Sequence, residues 1–364
     1  MNLPVVSVII TSFNYAEYIA RTIESVLSQT YPTIELIVVD DGSTDGSMAV
    51  IAGFGDRLRC IAQENGGEAA ASNTGFAASR GAIVMFLDSD DVLYPDAVET
   101  VVRHWSPGAA KVQFYLDRID AEGRPLGQFE PNLPFAPDDE VPTLLRHYAY
   151  YPAPPTSGNA YARSVLEKFM PVPEQSWRRG VDGCLNALAA LHGRVVSVHS
   201  AHGGYRIHDR NMSGWSRLDL GKLRYAMLNE IDREDALKHH ARSLGETLPD
   251  GLALGIPSHC KSRIVSLRLD PVGHPVAGDS LPHLVRAGVR AAWQFPHFSF
   301  RKRVAGTFGF VLLSLIPARV LQARLDPLFQ SDKRRFSRWL VAARAIWAVA
   351  VAPELVGALA SVSS

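Results

Sequence analysis

Cysteine is scarce in this 364-residue chain. Cys60, Cys184 and Cys260 are too few and too far apart for a disulfide framework, and no CxxC pair exists for zinc or redox work. That usage fits a reduced, cytoplasmic setting. Net charge is missing as well: 37 basic side chains balance 37 acidic ones, so the total singles out no partner. Neither GxGxxG nor GxxxxGK[ST] occurs, which argues against a dinucleotide dehydrogenase and a P-loop NTPase. Long apolar runs are absent too. Residues 304–316 fall short of the roughly 20 needed to span a bilayer, and residues 339–352 are interrupted by Arg344. Met1-Asn2-Leu3-Pro4 does not read as the start of a secretory signal.

What is present is an ordinary globular composition, 47% apolar and 20% charged, with an uneven charge distribution. Residues 1–215 hold 16 basic and 25 acidic side chains, a net of −9; residues 216–364 hold 21 and 12, a net of +9. We therefore expect a first domain over 1–215 and a basic, mostly helical region over 216–364. Charge asymmetry of this kind points to membrane or nucleic acid on the basic side.

The first ninety residues alternate between the two periodicities. Val5 to Ile10 and Ile34 to Val39 are β-branched runs of strand length. Between them Ile19, Ile23 and Val26/Leu27 recur at helical spacing, and Pro32 closes that element. A short helix from Asp45, a strand near 58–61, an Ala-rich helix over 68–79 and a strand over 83–87 follow. Residues 111–160 read as irregular strands and loops, 180–192 as a helix and 195–198 as a strand. This alternation predicts an open, mainly parallel α/β sheet with helices on both faces. In such sheets ligands sit beyond the carboxyl ends of the strands. Here those ends carry acids.

Asp40-Asp41 ends the second strand, and a carboxylate there can accept from a base N–H or a ribose hydroxyl. The competing reading is a helix cap, for which Asp41, Ser43 or Asp45 would serve. Asp88-Ser89-Asp90-Asp91 crowds three carboxylates into four residues, a natural seat for a hard divalent cation that bridges to phosphate. Here too a plain acidic cap competes.

Taken together, Val6 to Asn14, Val38-Val39-Asp40-Asp41-Gly42-Ser43-Thr44-Asp45 and Phe86-Leu87-Asp88-Ser89-Asp90-Asp91 resemble a family 2 glycosyltransferase of the GT-A fold. Glu64-Asn65-Gly66-Gly67 and Asn73-Thr74-Gly75 fit the same pattern, and the likeness covers roughly residues 4–215. It implies that Thr11, Phe13 and Asn14 lie beside the nucleoside and that Asp40 accepts the imide N–H of uracil or thymine. It also implies that Asp88 meets the ribose, that Asp90 ligates Mn²⁺ or Mg²⁺ under the diphosphate, and that Arg80 supports the nucleotide. The family's acidic pair before a leucine survives here only as Asp182, with Val181 in the first place. Asp182 would be the catalytic base of an inverting transfer, with Glu174 in reserve. Tyr205-Arg206-Ile207-His208-Asp209-Arg210-Asn211-Met212-Ser213 resembles another family segment, whose Arg206 and His208 would stabilise the departing diphosphate. Ser72 stands where the family often has a basic residue. On the acceptor side, Gly158 would admit a sugar and Trp177 would stack on one.

The resemblance thus implies transfer of a sugar from a UDP or dTDP donor to a glycan or lipid-linked acceptor in cell-surface polysaccharide synthesis. A non-catalytic module that binds nucleotide-sugar or glycan is the alternative, motivated by Val181 and Ser72. Residues 301–344 carry ten basic and two acidic side chains around the apolar runs. Arg301-Lys302-Arg303 and Lys333-Arg334-Arg335 suggest peripheral contact with the anionic cytoplasmic face of the inner membrane. No nucleic-acid motif accompanies the charge.

Overall fold

The computed structural model describes residues 3–208, 210, 211, 219–296 and 298–324. Outside the described residues lie Asp209, Met212 and Ser213, the expected boundary at 215/216, the Lys333-Arg334-Arg335 cluster and the second apolar run, 339–352. The described strands are β1 (Val6–Ser12), β2 (Ile34–Asp40), β3 (Arg59–Ala62), β4 (Ile83–Asp88), β5 (Val92–Leu93), β6 (Ala109–Ile119), β7 (Pro125–Glu130), β8 (Asn159–Ala162) and β9 (Arg194–Arg206). They form one sheet in the order β3-β2-β1-β4-β8-β6-β9-β5, with β7 beside β6. The first four of that order are mutually parallel. Beyond β4 the sheet is mixed: β8 runs antiparallel to both neighbours, whereas β6 and β9 are parallel.

Helices cover both faces. They are α1 (Ile19–Leu27), α2 (Ser47–Ala52), α3 (Glu68–Ala78), α4 (Ala97–His104), α5 (Val141–Tyr148), α6 (Arg163–Leu166) and α7 (Val181–His192). Ile10, Val38 and Leu87 pack on one face with Ile19, Ile23 and Val26 of α1 and Val98 and Val101 of α4. Ile9, Val39 and Phe86 pack on the other with Ala69 of α3, Leu145 of α5 and Leu185 and Leu188 of α7. Strands buried on both sides need the continuous β-branched runs seen here. Leu27 lies outside the buried stripe of α1 and is exposed.

Two elements depart from the expected pattern, and both serve the site. Residues 111–160 hold all but the first two residues of the 11-residue β6, its hairpin partner β7 and helix α5. Pro142 sits in the first turn of α5, where a missing N–H costs nothing. β9 is 13 residues long and continues far beyond Val198, through Gly203 and Gly204. A Cβ at either glycine would lie within 3 Å of Leu116 or Ile119, so only glycine lets β9 stay against β6 there. The end of β9 is thereby delivered to the loop after β4.

The remaining helices are α8 (Leu220–Ser243), α9 (Pro257–Leu269), α10 (Leu281–Gln294), α11 (Phe300–Leu315) and α12 (Ala318–Arg324). The second half of α8 puts Leu237 and Ala241 into the core of α7, while Leu223, Ile264, Leu284 and Phe310 make a core of their own. Ser266, His274 and Asp279 repeat the contacts of a hydrolytic triad, at 3.0 and 2.9 Å. Ser266 is fully buried and its hydroxyl already accepts from Arg224, so the chain of contacts is structural. Among the described residues no helix is long and apolar enough to cross a membrane.

Candidate active site

Side chains alternate along each strand, so registered neighbours on parallel strands share a face. Ser12 pairs with Asp40 and points toward the α1 side; Thr11 pairs with Asp88 and points toward α3 and α7. Asp40 is 1% exposed. Its Oδ1 accepts the Ser43 N–H at 2.9 Å, but its Oδ2 and the Ser12 hydroxyl, both buried, find no partner among the described residues. Buried polar atoms are nearly always paired, so two orphans side by side mark a place built for a ligand's donors. Asp41 is the opposite case. Its carboxylate accepts from the Gln63 amide at 2.7 Å and from the Gly66 and Gly67 N–H groups at 2.9 and 2.8 Å, which ties down the 63–67 loop. The acidic pair therefore divides into one structural group and one available group.

Asn14 joins the loops after β1 and β2. At φ 59° it donates its N–H to the Ser43 hydroxyl, and its Oδ1 accepts the Thr44 N–H at 2.7 Å. Its side-chain oxygen is committed to loop shape. Phe13 beside it is 44% exposed and follows Ser12, the residue in register with Asp40.

The acidic loop after β4 is held from three directions. Asp91, fully buried, accepts from the Ser157 hydroxyl at 2.6 Å and from the Arg206 N–H at 2.9 Å. The Arg206 guanidinium donates to the carbonyls of Asp90, Asp120 and Ala121 at 2.7, 3.1 and 2.8 Å and lies over the Tyr18 ring. Asp90 Oδ2 is 2.9 Å from His208 Nε2. Because His208 Nδ1 accepts the Arg210 N–H, Nε2 carries the proton and donates to Asp90. Tyr18 stacks on the other side of the imidazole. The Tyr15 hydroxyl hydrogen-bonds the same Asp90 carboxylate.

Facing this loop, Asp182 stands in the first turn of α7 and accepts the Gly183 N–H. Burial raises its carboxyl above the ordinary range, while nearby Arg233 and Lys111 pull it down. Burial pushes Asp88 well up, helped by Glu68, Asp91, Asp90 and Asp182. Glu68, in the first turn of α3, is pushed up to about 8, first by burial and then by Asp182. Its Oε2 accepts the Gly180 N–H at 2.7 Å and so pins the start of α7 to α3. Behind Asp182, one turn along α7, Asn186 accepts from buried Lys111 and from the Tyr161 hydroxyl. Carboxylates from β4, its following loop, α3 and α7 thus converge, and their charges raise Asp88 and Glu68. Such mutual repulsion is relieved by protons or by a cation. Among the described residues no three His, Cys, Asp or Glu side chains form a ready metal cage. Hard oxygen donors in a like-charged cluster nevertheless fit a divalent ion that takes its other ligands from phosphate and water.

Four expected site residues are placed elsewhere. Arg80 precedes β4 and so lies at the opposite end of the strand from the acidic rim, about 20 Å away for a strand of this length. Its side chain is 83% exposed and pairs with Glu35. Arg206 is 1% exposed and spends its donors on carbonyls, so it shapes the Asp90 loop and does not reach a diphosphate. Gly158 is buried against Pro154 and the Phe114 carbonyl, with no open face for a sugar. Trp177 is 2% exposed and is a core anchor beside Gly183. Of the rest, exposed Glu174 faces Asn73 at 3.4 Å, and Val181 is fully buried in the core. The sequence reading missed Glu68, Ser12, Lys111 and Arg233. An acid opening an Ala-rich helix looks like a dipole partner, and only the meeting of α3 with α7 reveals another role.

Two outcomes follow from these contacts. Arg206→Leu leaves three carbonyls without their donor, and urea unfolding should show a loss of about 3 kcal/mol. Glu68 binds a proton in the folded state from about pH 4.5 to 8, where the unfolded chain has released it. Stability in chelator should therefore fall as pH rises through that window. Glu68→Gln, which keeps the acceptor for Gly180, should flatten the fall in unfolding free energy.

Comparison with known proteins adds an independent finding. The family model described as glycosyl transferase family 2 matches residues 7–154. The chain is 39% identical over 211 residues to an uncharacterized glycosyltransferase of Nostoc sp., covering 57% of this chain and 66% of that protein. It is 32% identical over 225 residues to the succinoglycan biosynthesis protein ExoO of Rhizobium meliloti, covering 60% and 65%. A chondroitin synthase of Pasteurella multocida matches over 106 residues at 41% identity, 28% of this chain but 11% of that protein. The chain thus spans slightly under two thirds of the first two relatives. Among solved structures, S. aureus TarS 1-349 in complex with UDP-GlcNAc is similar at a TM-score of 0.48 and 16% identity, covering 84% and 90% of the two chains.

Proposed function

We propose that the chain, whose residues 7–154 match the family model described as glycosyl transferase family 2, is an inverting glycosyltransferase. Its donor is a UDP- or dTDP-sugar and its acceptor a glycan or a lipid-linked glycan of a surface polysaccharide. One observation supports this reading: Asp182 on α7 lies close enough to Asp88 at the end of β4 to raise its carboxyl, and Asp40, at the end of β2, keeps an unpaired buried oxygen.

In this reading Asp40 Oδ2 accepts the imide N–H of the base, a charge-assisted hydrogen bond in a dry setting. Phe13 and Thr11 border the nucleoside, and Asp88 meets the ribose. Asp90, with Asp88, would hold Mn²⁺ or Mg²⁺, which supplies positive charge to the departing diphosphate. His208 fixes the Asp90 carboxylate, and half-exposed Arg210, held over Tyr15, replaces Arg206 as the cation at the mouth of the site. Asp182 takes the proton of the acceptor hydroxyl as its oxygen bonds to the anomeric carbon. The bond from that carbon to the diphosphate oxygen breaks on the opposite face, and its electron pair leaves with the diphosphate. Burial makes Asp182 a stronger base than an ordinary aspartate.

The alternative of a binding module without chemistry rested on Val181 in place of an acid and Ser72 in place of a basic residue. Glu68 supplies a carboxylate beside Asp182 from α3, which favours the catalytic reading. A thermal-shift screen of UDP-, dTDP- and GDP-sugars with Mn²⁺ tests the donor. Stabilisation is expected from the pyrimidine donors, and Asp40→Asn should weaken UDP binding about tenfold. Stabilisation by GDP-sugars alone would overturn the pyrimidine assignment.

A further inference from the structure

Helix α11 presents an apolar row to water. Phe300, Phe308, Val311 and Leu315 are 70%, 68%, 41% and 72% exposed, and at 100° per residue they fall within one quadrant of the helix. Val304, partly exposed, lies in the same row. The helix is not loosely attached. On its other side Phe310 packs over Gly288, where a Cβ would come within 2.6 Å of the ring, and Leu313 is buried. Single exposed apolar residues are common, but a continuous row of large ones marks a contact surface.

The charge around this row selects the occupant. From residue 281 to 324 the chain has seven Arg or Lys and not one Asp or Glu. Arg286 and Arg290 of α10, Arg301 and Lys302 of α11, and Arg319 of α12 are all exposed. A second copy docked face to face would set these cations against each other. Residues 325–364 carry five cations against three carboxylates and so bring no net negative charge to meet them. An anionic lipid surface satisfies both features, with apolar side chains entering the acyl boundary and cations remaining at the headgroups.

We propose that α11 is an interfacial membrane anchor that lies in the plane of an anionic leaflet, inserting Phe300, Phe308 and Leu315 while Arg301, Lys302 and Arg319 bind lipid headgroups. This assignment is independent of the donor reading above. It deepens the basic character of the C-terminal region into one helix and one face.

The test is flotation of the full chain with vesicles of phosphatidylcholine, with and without phosphatidylglycerol, at low and high salt. Retention is expected on the anionic vesicles only and should weaken as salt rises. Phe308→Asp/Leu315→Asp should reduce vesicle binding at least about tenfold. Arg301→Glu/Lys302→Glu, which leaves the apolar row intact, should reduce it at low salt. Thermal melts like that of the unsubstituted chain would place the effect at the surface. Undiminished flotation of both variants would overturn the proposal, as would equal binding to neutral vesicles. So would a dimer, seen by light scattering, that dissociates in Phe308→Asp/Leu315→Asp while no vesicle is bound.

Discussion

Asp182→Asn is expected to lower sugar transfer by about 10²- to 10⁴-fold while leaving UDP affinity within about twofold. The carboxamide keeps the size of the side chain and can still accept from Gly183. It cannot take a proton from an incoming hydroxyl. The same residue sets a pH dependence. Because burial raises the Asp182 carboxyl, the rate should climb with pH through an apparent value above that of an ordinary aspartate and then level off. Initial rates measured across that range would check the limb, which should vanish in the residual activity of Asp182→Asn.

Much of this site is legible in the sequence, because strand ends are legible. Val6–Ser12, Ile34–Asp40 and Ile83–Asp88 are apolar runs that stop at polar residues, and a parallel sheet brings such stops to one edge. That is why Asp40, Asp88 and Asp90 could be found one after another. Side-chain direction is less legible. Asp40 and Asp41 are adjacent and chemically equal, yet one ends with a free oxygen and the other with three donors, a difference made by the 63–67 loop. The roles of the arginines come from the family likeness. Arg206 turned out to be walled in by carbonyls and Arg80 to lie at the far edge, since neither burial nor strand polarity is visible in a short motif. Trp177 and Gly158 failed for the same reason: a loop near a site in sequence can be core in space. Glu68 was invisible because its meaning depends on the contact of α3 with α7, two helices separated by more than a hundred residues.

The second large effect is expected at Asp90. Its carboxylate joins two parts of the rim, bonding the His208 imidazole and the Tyr15 hydroxyl while raising the carboxyls of Asp88 and Glu68. Asp90→Asn keeps a hydrogen-bond acceptor for His208 but removes the charge on which a hard cation depends. Loss of a metal's own carboxylate should exceed the ten- to hundredfold cost of disturbing its outer partners. Calorimetry should therefore show Mn²⁺-dependent UDP binding reduced at least about 100-fold. The same change relieves the repulsion felt by Asp88 and Glu68, so metal-free Asp90→Asn should lose less stability with rising pH than the unsubstituted chain.

These two substitutions separate the halves of the account, because one removes a proton acceptor and the other a cation seat. The most direct measurement is titration of UDP, with and without Mn²⁺, into the unsubstituted chain, Asp182→Asn and Asp90→Asn. The expected result is cation-dependent binding that Asp182→Asn retains and Asp90→Asn loses. UDP binding that ignores both the cation and Asp90, or no UDP binding by any of the three, would contradict it.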